Sequence, residues 1–362
     1  MAVYAEEHDD LRSAVRALLE KSADSAAIRN TIAAGGYDTA LWRRMSDELA
    51  LPGLAISEPR GGSGFGVVEL AVVLEEIGRA NLPSPFLSTV LAAAALETSG
   101  ADAADDLVPG LASGDQLATV YLPPGDRPSP WVVADGRVTG TLPHLPDGDV
   151  ADRVVLVAPE RGAVVDLAGP GVARTNLDTM DLTRGQARVE LSEAPIVELR
   201  APHGWSERVA ALAAVLVSCE QVGGSERVLE MSTAYATARV QFGRPIGSFQ
   251  AVKHLLADML VEFELARTLQ RHALGLVATP DADPAAADAA ARSARVACSR
   301  AFVQLTTDTV QVHGGIGYTW EHDAHLYFRR ARASAALFGD DATDLDRLAT
   351  RAGLVPTYQE AS

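Results

Sequence analysis

The chain has 362 residues, few aromatics (5%), only two cysteines, and no apolar run near twenty residues. The last absence argues against a membrane-spanning helix. Cys219 and Cys298 stand in apolar, helix-patterned stretches and predict buried thiols rather than a disulfide framework. Lysine occurs only at Lys21 and Lys253, so the positive charge is nearly all arginine. A formal net charge of −17, with no basic stripe to offset it, argues against nucleic acid as a partner. It leaves room for a local phosphate site, which arginine's planar fork suits. No G-x-S-x-G or other nucleophile motif is present. The opening MAVYAEEHDDLR is acidic and polar, unlike a signal or transit peptide, so a cytoplasmic location is expected.

Apolar residues make up 48% of the chain, rich in Ala and Leu, which suits a mostly helical protein of two or three packed units. Leu11, Val15, Leu18 and Leu19 repeat at helix spacing, as do Leu41, Met45 and Leu49. The Pro and Gly cluster in ISEPRGGSGFG predicts a loop entering the helix VVELAVVLEEIGRA. From about 116 to 203 the segments QLATVYL, WVVADGRVTG, DRVVLVAP, GAVVDLA and QARVELS predict short strands, with ADG as a hairpin tip. Long helices are expected again at roughly 206–239, 248–274 and 284–313, then a shorter pair. The order is helices (1–115), strands (116–203), helices (204–362), an α+β fold with a sheet domain between helical ones.

GGSGFG has no convincing strand before it and no Walker lysine, so a loop starting a helix fits better than a dinucleotide loop. EHDAH gathers Glu321, His322, Asp323 and His325 but has no further convergent ligand, and reads as a solvated turn; no metal is expected. RVQFGRPIGSFQ is more informative. Arg239 ends one long helix and a new helix starts near Ser248, whose unpaired N–H groups and the arginine together favour an anion, although a plain helix connection with a solvated arginine fits equally. In QVHGGIGYTW, Gly314 and Gly315 are suited to a helix stop and also let backbone approach a bulky ligand beside Gln311.

Taken together, LALPGLAISEPRGGSGFGVVELAVVLEEIGRA, DGRVTGTLPHLPDGDVADRVVLVAP, ARVQFGRPIGSFQAVKHLLADM and QVHGGIGYTWEHDAHLYFRRAR resemble the acyl-CoA dehydrogenase family over nearly the whole chain. The resemblance implies an N-terminal helical domain, a β-barrel-like middle and a C-terminal four-helix bundle, with FAD shared between subunits. It assigns the ADP half of the flavin to Arg239, Phe242, Gln250, Gln311, Gly314 and Gly315 of the last domain. It also implies an acyl-CoA substrate, losing its α-proton to a carboxylate while hydride leaves the β-carbon for the flavin.

The chain departs from that family where the chemistry is done. The usual base is a glutamate after RRAR, where an ungapped count gives Phe338 followed by Gly339. The other known base position corresponds to Val240. Asp340 and Asp341 stand nearby, but two residues in a tight loop displace a carboxylate by several ångströms. The strand-domain motifs that pack on the flavin ring are altered too. TVYLPPGDRPSP replaces one, and in GTLPHLPDG His144 and Pro146 stand at the aromatic and Thr/Ser positions of the other. An intact ADP half with an eroded ring half resembles the non-catalytic subunit of the heteromeric, actinobacterial steroid-degrading members. A partner homologue would then carry the catalytic glutamate. Two alternatives are a self-sufficient homo-oligomer using Asp340 or Asp341, and a non-enzymatic scaffold of the same fold.

Overall fold

The computed structural model describes residues 4–100, 103–123, 128–159 and 161–354. Six helices come first: α1 (Glu6–Ser22), α2 (Ser25–Ala34), α3 (Thr39–Asp47), α4 (Val67–Ala80), α5 (Phe86–Glu97) and α6 (Ala103–Ala112). Their boundaries follow local chemistry. The carboxylates of Asp24 and Asp38 accept from backbone N–H groups in the first turns of α2 and α3, and Asn81, left-handed at φ 51°, stops α4. GGSGFG is indeed the loop before α4. α5 is apolar nearly all round, as a helix buried between neighbours must be, while α4 buries Glu75 and Glu76 along with its apolar residues.

Eight strands follow: β1 (Ala118–Tyr121), β2 (Trp131–Ala134), β3 (Arg137–Pro146), β4 (Arg153–Ala158), β5 (Arg161–Asp166), β6 (Val172–Asn176), β7 (Gln186–Pro195) and β8 (Val197–Leu199). They form two four-stranded sheets, ordered β1-β4-β5-β8 and β2-β3-β7-β6, antiparallel except for β1 beside β4. Val154, Leu156 and Val165 of one sheet bury against Leu142, Val189 and Leu191 of the other. The expected barrel-like middle is therefore a pair of facing sheets, with the inward side chains alternating along each strand. Asp135 and Gly136 (φ 50° and 70°) make the two-residue turn between β2 and β3. Part of TVYLPPGDRPSP, residues 124–127, lies outside the described residues.

The chain then enters α7 (Trp205–Ala238), a minute hairpin of β9 (Val240–Gln241) and β10 (Arg244–Pro245), α8 (Gln250–Val277) and α9 (Pro284–His313), followed by α10 (Ala324–Ser334) and α11 (Asp341–Arg351). α7, α8 and α9 pack side by side, with α10 against α9 and α7. Val228, Phe263, Phe302, Leu305 and Tyr327 fill the space between them. Gly78 and Gly223 set the distance between α4 and α7: a Cβ at Gly223 would lie 1.8 Å from the Glu75 carbonyl oxygen. Cys219 and Cys298 are free, buried thiols.

Candidate functional site

The C-terminal ends of α7 and α9 and the N-terminal end of α8 meet at one end of the bundle. The Tyr235 ring, in the last turn of α7, stacks 4.3 Å from the His313 ring that closes α9. Arg239 caps α7, and its carbonyl accepts from the Ile246 N–H at 2.8 Å, folding the hairpin back toward the start of α8. Phe242 and Gly243 form the hairpin tip with φ 52° and 77°, and Phe242 is 92% exposed. A left-handed aromatic held out in solvent is a conformation that carries a cost.

All six predicted cofactor residues lie at or beside this end. Arg239, Gln250, Gln311, Gly314 and Gly315 are exposed, like Phe242. Arg239 makes no side-chain ion pair among the described residues, and Gln250 makes only a long, 3.5 Å contact with His254. The first turn of α8 has no acidic residue and no side-chain cap, because Phe249 occupies the N-cap position. Its first N–H groups are thus left for a ligand, with the helix dipole favouring negative charge. The Arg244 guanidinium sits 4.0 Å above the Phe249 ring, adding a second positive charge beside this turn. A Cβ at Gly314 or Gly315 would meet nothing within 4 Å, so the backbone there is open to a close approach. Uncapped amides, an unpaired arginine and bare backbone fit a diphosphate.

The other half of the predicted site is a cavity of about 460 Å³ between the sheets and the α10–α11 connection. His144 and Pro146 line one side and Phe338, Gly339 and Asp340 the other. Pro146 has no N–H to offer, and its carbonyl already accepts from Thr119 Oγ1 at 2.6 Å. Phe338 is left-handed (φ 57°), and Gly339 lies against the buried Arg295 guanidinium. Asp340 is the N-cap of α11: its carboxylate accepts from the Thr343 N–H at 2.9 Å and from Thr343 Oγ1 at 2.8 Å. Those bonds, the Thr343 N–H first, hold its pKa below the usual carboxylate value. Asp341 pairs with Arg300 at 3.0 Å. Both aspartates are structurally engaged, and Val240 is an exposed hairpin residue.

Sequence reasoning missed a buried cluster of charged residues. Arg330 of α10 is 2% exposed and lies 2.7 Å from Asp181 and 2.8 Å from Glu220 of α7. Glu220 also takes Arg184 at 2.6 Å, and the Arg330 guanidinium donates to the Thr183 carbonyl at 2.9 Å. Burial pushes the Glu220 carboxyl up, but the Arg184 and Arg330 guanidiniums more than reverse this and lower it to about 2. Nearby, Asp147 accepts from Ser88 Oγ, and burial raises its carboxyl to about 6 against the pull of Arg184. Ser88 belongs to α5, residues 147–184 to the sheets and their loops, and Glu220 and Arg330 to the bundle, so one buried cluster joins all three regions. A glutamate inside the apolar run AALAAVLVSCEQV was the available signal.

The EHDAH segment is also more ordered than a solvated turn. Asp323 pairs with Arg29 at 2.6 Å and accepts from Ser25, while His322 stacks 4.3 Å from His313. Among the described residues no group of three His, Cys, Asp or Glu is placed to hold a metal, and no helix is long and apolar enough to cross a membrane.

Residues 5–115 match the acyl-CoA dehydrogenase N-terminal domain and residues 205–353 the acyl-CoA dehydrogenase C-terminal domain. The chain is 37% identical over 344 residues to acyl-CoA dehydrogenase IpdE2 of Mycobacterium tuberculosis, covering 95% of this chain and 96% of that one. Among solved structures it resembles the ChsE4–ChsE5 complex from M. tuberculosis (29% identity, TM-score 0.89, 98% of this chain and 100% of that chain). It also resembles the Tcur3481–Tcur3483 steroid ACAD (27% identity, TM-score 0.88, 96% and 98%). Butyryl-CoA dehydrogenase from Megasphaera elsdenii, at 20% identity and a TM-score of 0.85, shares the fold over 96% of this chain and 98% of that chain. The chain belongs to the acyl-CoA dehydrogenase family.

Proposed function

We propose that this chain is the subunit of a heteromeric, FAD-dependent acyl-CoA dehydrogenase that holds the ADP half of the flavin while a homologous partner carries the catalytic glutamate. The observation that carries this reading is the cavity wall. The loop after α10 presents Phe338, and the nearest carboxylate, Asp340, has both oxygens engaged as a helix cap. A base must be within reach of the substrate α-carbon and free to accept its proton. At the two positions where the family's ring-binding motif has an aromatic and a Thr or Ser, the cavity wall has His144 and Pro146.

FAD, when bound, supplies the hydride acceptor. For this chain the work is binding. Arg239 and the uncapped amides of α8 neutralise the diphosphate. Gln250 and Gln311 supply side-chain hydrogen bonds, Gly314 and Gly315 admit the cofactor to the backbone, and Phe242 presents an exposed ring to whatever covers the hairpin. A bulky, steroid-like acyl-CoA is the proposed substrate, supported by the likeness to a steroid ACAD built from two gene products. The ChsE4–ChsE5 complex is a second likeness to a two-component assembly.

The test is turnover of steroid-side-chain acyl-CoA thioesters by the chain alone, by its nearest homologue alone, and by the two co-purified. Activity only in the mixture, abolished by replacing the partner's glutamate, is the expected result. Turnover by this chain alone that is lost in Asp340→Asn or Asp341→Asn would establish the self-sufficient enzyme instead. Flavin absent from every preparation would leave the scaffold.

A further inference from the structure

Three rings from three parts of the chain stack at the flavin end of the bundle. The Tyr235 ring of α7 lies 4.3 Å from His313, which closes α9, and His313 lies 4.3 Å from His322, just ahead of α10. The hydrogen bonds of the two imidazoles assign their protons. A carbonyl can only accept, so His313 Nδ1 carries a hydrogen and donates to the Thr309 carbonyl at 2.7 Å. A backbone N–H can only donate, so His322 Nδ1 is bare and accepts from the Ala324 N–H at 3.1 Å. Ala324 opens α10, and Asp323 at the N-cap position gives that helix no side-chain cap, its carboxylate being engaged by Arg29 and Ser25. His322 is therefore the acceptor that satisfies the first N–H of α10.

A proton on His322 Nδ1 would forfeit that bond and set a cation at a helix N-terminus, where the dipole opposes it. It would also charge one of two closely stacked rings. The surrounding charged and titratable groups come from four places. α7 contributes Tyr235 and, at its cap, the exposed Arg239, and the turn Gly314–Tyr318 contributes the exposed Tyr318. α2 contributes Arg29, and the start of α10 contributes Asp323, His325 and Arg329, with Glu321 exposed before it. Asp323 favours a charged His322 but is already paired with Arg29 at 2.6 Å. Burial is the first cause that holds both imidazoles below their ordinary value. At His322 the neighbouring His313 adds to it and Asp323 opposes, while at His313 the Thr309 carbonyl opposes.

We propose that Tyr235, His313 and His322 form a proton-sensitive latch, closed while both imidazoles are neutral, that positions the segment from Gln311 to Gly315. His313 sits two residues after Gln311 and directly before Gly314 and Gly315, so the stack fixes the backbone assigned to the cofactor. The neutral stack stabilises this end above the ordinary imidazole value of 6.5, and its hold is lost as pH falls through the lowered one. The latch stands on the geometry of this chain, whereas its effect on flavin rests on the reading of this end as the ADP site. His313 and His322 act in it as positioning residues.

His322→Asn tests this, because the asparagine carbonyl oxygen can replace Nδ1 in capping α10 but cannot be protonated. Flavin retention by the complex co-purified with the homologue is measured by equilibrium dialysis at pH 7.5 and 5.5. It should fall on the order of tenfold in the wild type and about twofold or less in His322→Asn. His322→Ala, which removes both the cap and the ring, should weaken retention at both pH values. In the full-length chain carrying 15N-labelled histidine, His313 and His322 should titrate below 6.5 by nuclear magnetic resonance, and His313 should move up in His322→Asn. Parallel pH profiles in wild type and His322→Asn, or a His322 that titrates at 6.5 or above, would overturn the latch. A complex without flavin at pH 7.5 would sink the ADP-site reading instead, and a His313 titration unmoved by His322→Asn would then still overturn the latch.

Discussion

Replacing Glu220 by Gln keeps its shape and removes one charge from the centre of the buried cluster. Arg184 and Arg330 are 5% and 2% exposed, so neither can turn to water for compensation. Removing one partner of such a pair typically costs about 3–5 kcal/mol. The carboxyl's descent from 4.5 to about 2 gives a similar figure, about 3 kcal/mol at roughly 1.4 kcal/mol per pH unit. With an unfolding entropy of about 2.1 cal/mol/K per residue, a 362-residue chain that melts as one unit loses roughly 4–7 °C. The sign with pH is fixed. A depressed carboxyl contributes stability above its unfolded value and loses it as pH falls from about 4.5 toward 2. Thermal melts of wild type and Glu220→Gln, followed by circular dichroism, should therefore differ most at pH 6–8 and converge only as pH falls toward 2. A difference under 1 °C at neutral pH would refute the reasoning.

Asp147 acts in the opposite direction. Its carboxyl is raised to about 6, so its protonated form stabilises the fold below about 3.8, and that contribution is lost as pH rises through 6. Asp147→Asn should accordingly raise the melting temperature at pH 8 and leave it nearly unchanged at pH 4. Arg239→Ala should weaken flavin retention by the assembled complex about 10- to 100-fold, read by equilibrium dialysis, as expected for a lost charge-assisted contact. Asp340→Ala should cost about 1 kcal/mol through the lost α11 cap and leave kcat of the complex unchanged. A collapse of kcat without loss of fold would make Asp340 the base.

The helices and most strands were legible because their hydrophobic periods are strong. The long helices 206–239, 248–274 and 284–313 fall within a few residues of α7, α8 and α9. β6 and β8 were not read: VARTN is largely exposed and VEL is three residues long, so neither carries a period. Segment patterning also could not show that the middle strands divide between two facing sheets, because closure depends on which edges pair. The exposed bundle end followed from motifs that combine glycine, arginine and a helix start. The cluster of Asp147, Asp181, Arg184, Glu220 and Arg330 is drawn from residues as far apart as 147 and 330 and has no local spacing to betray it. The engagement of Asp340 with Thr343 was visible in principle as an N-cap pattern, D-D-A-T ahead of an amphipathic run.

Bound flavin per chain, measured by visible absorbance for this protein purified alone and co-purified with its nearest homologue, tests the central claim most directly. The proposed division of labour predicts little flavin on the isolated chain and one flavin per heterodimer, bleached by the acyl-CoA substrate. One flavin per chain on the isolated protein, bleached by acyl-CoA without a partner, would contradict it.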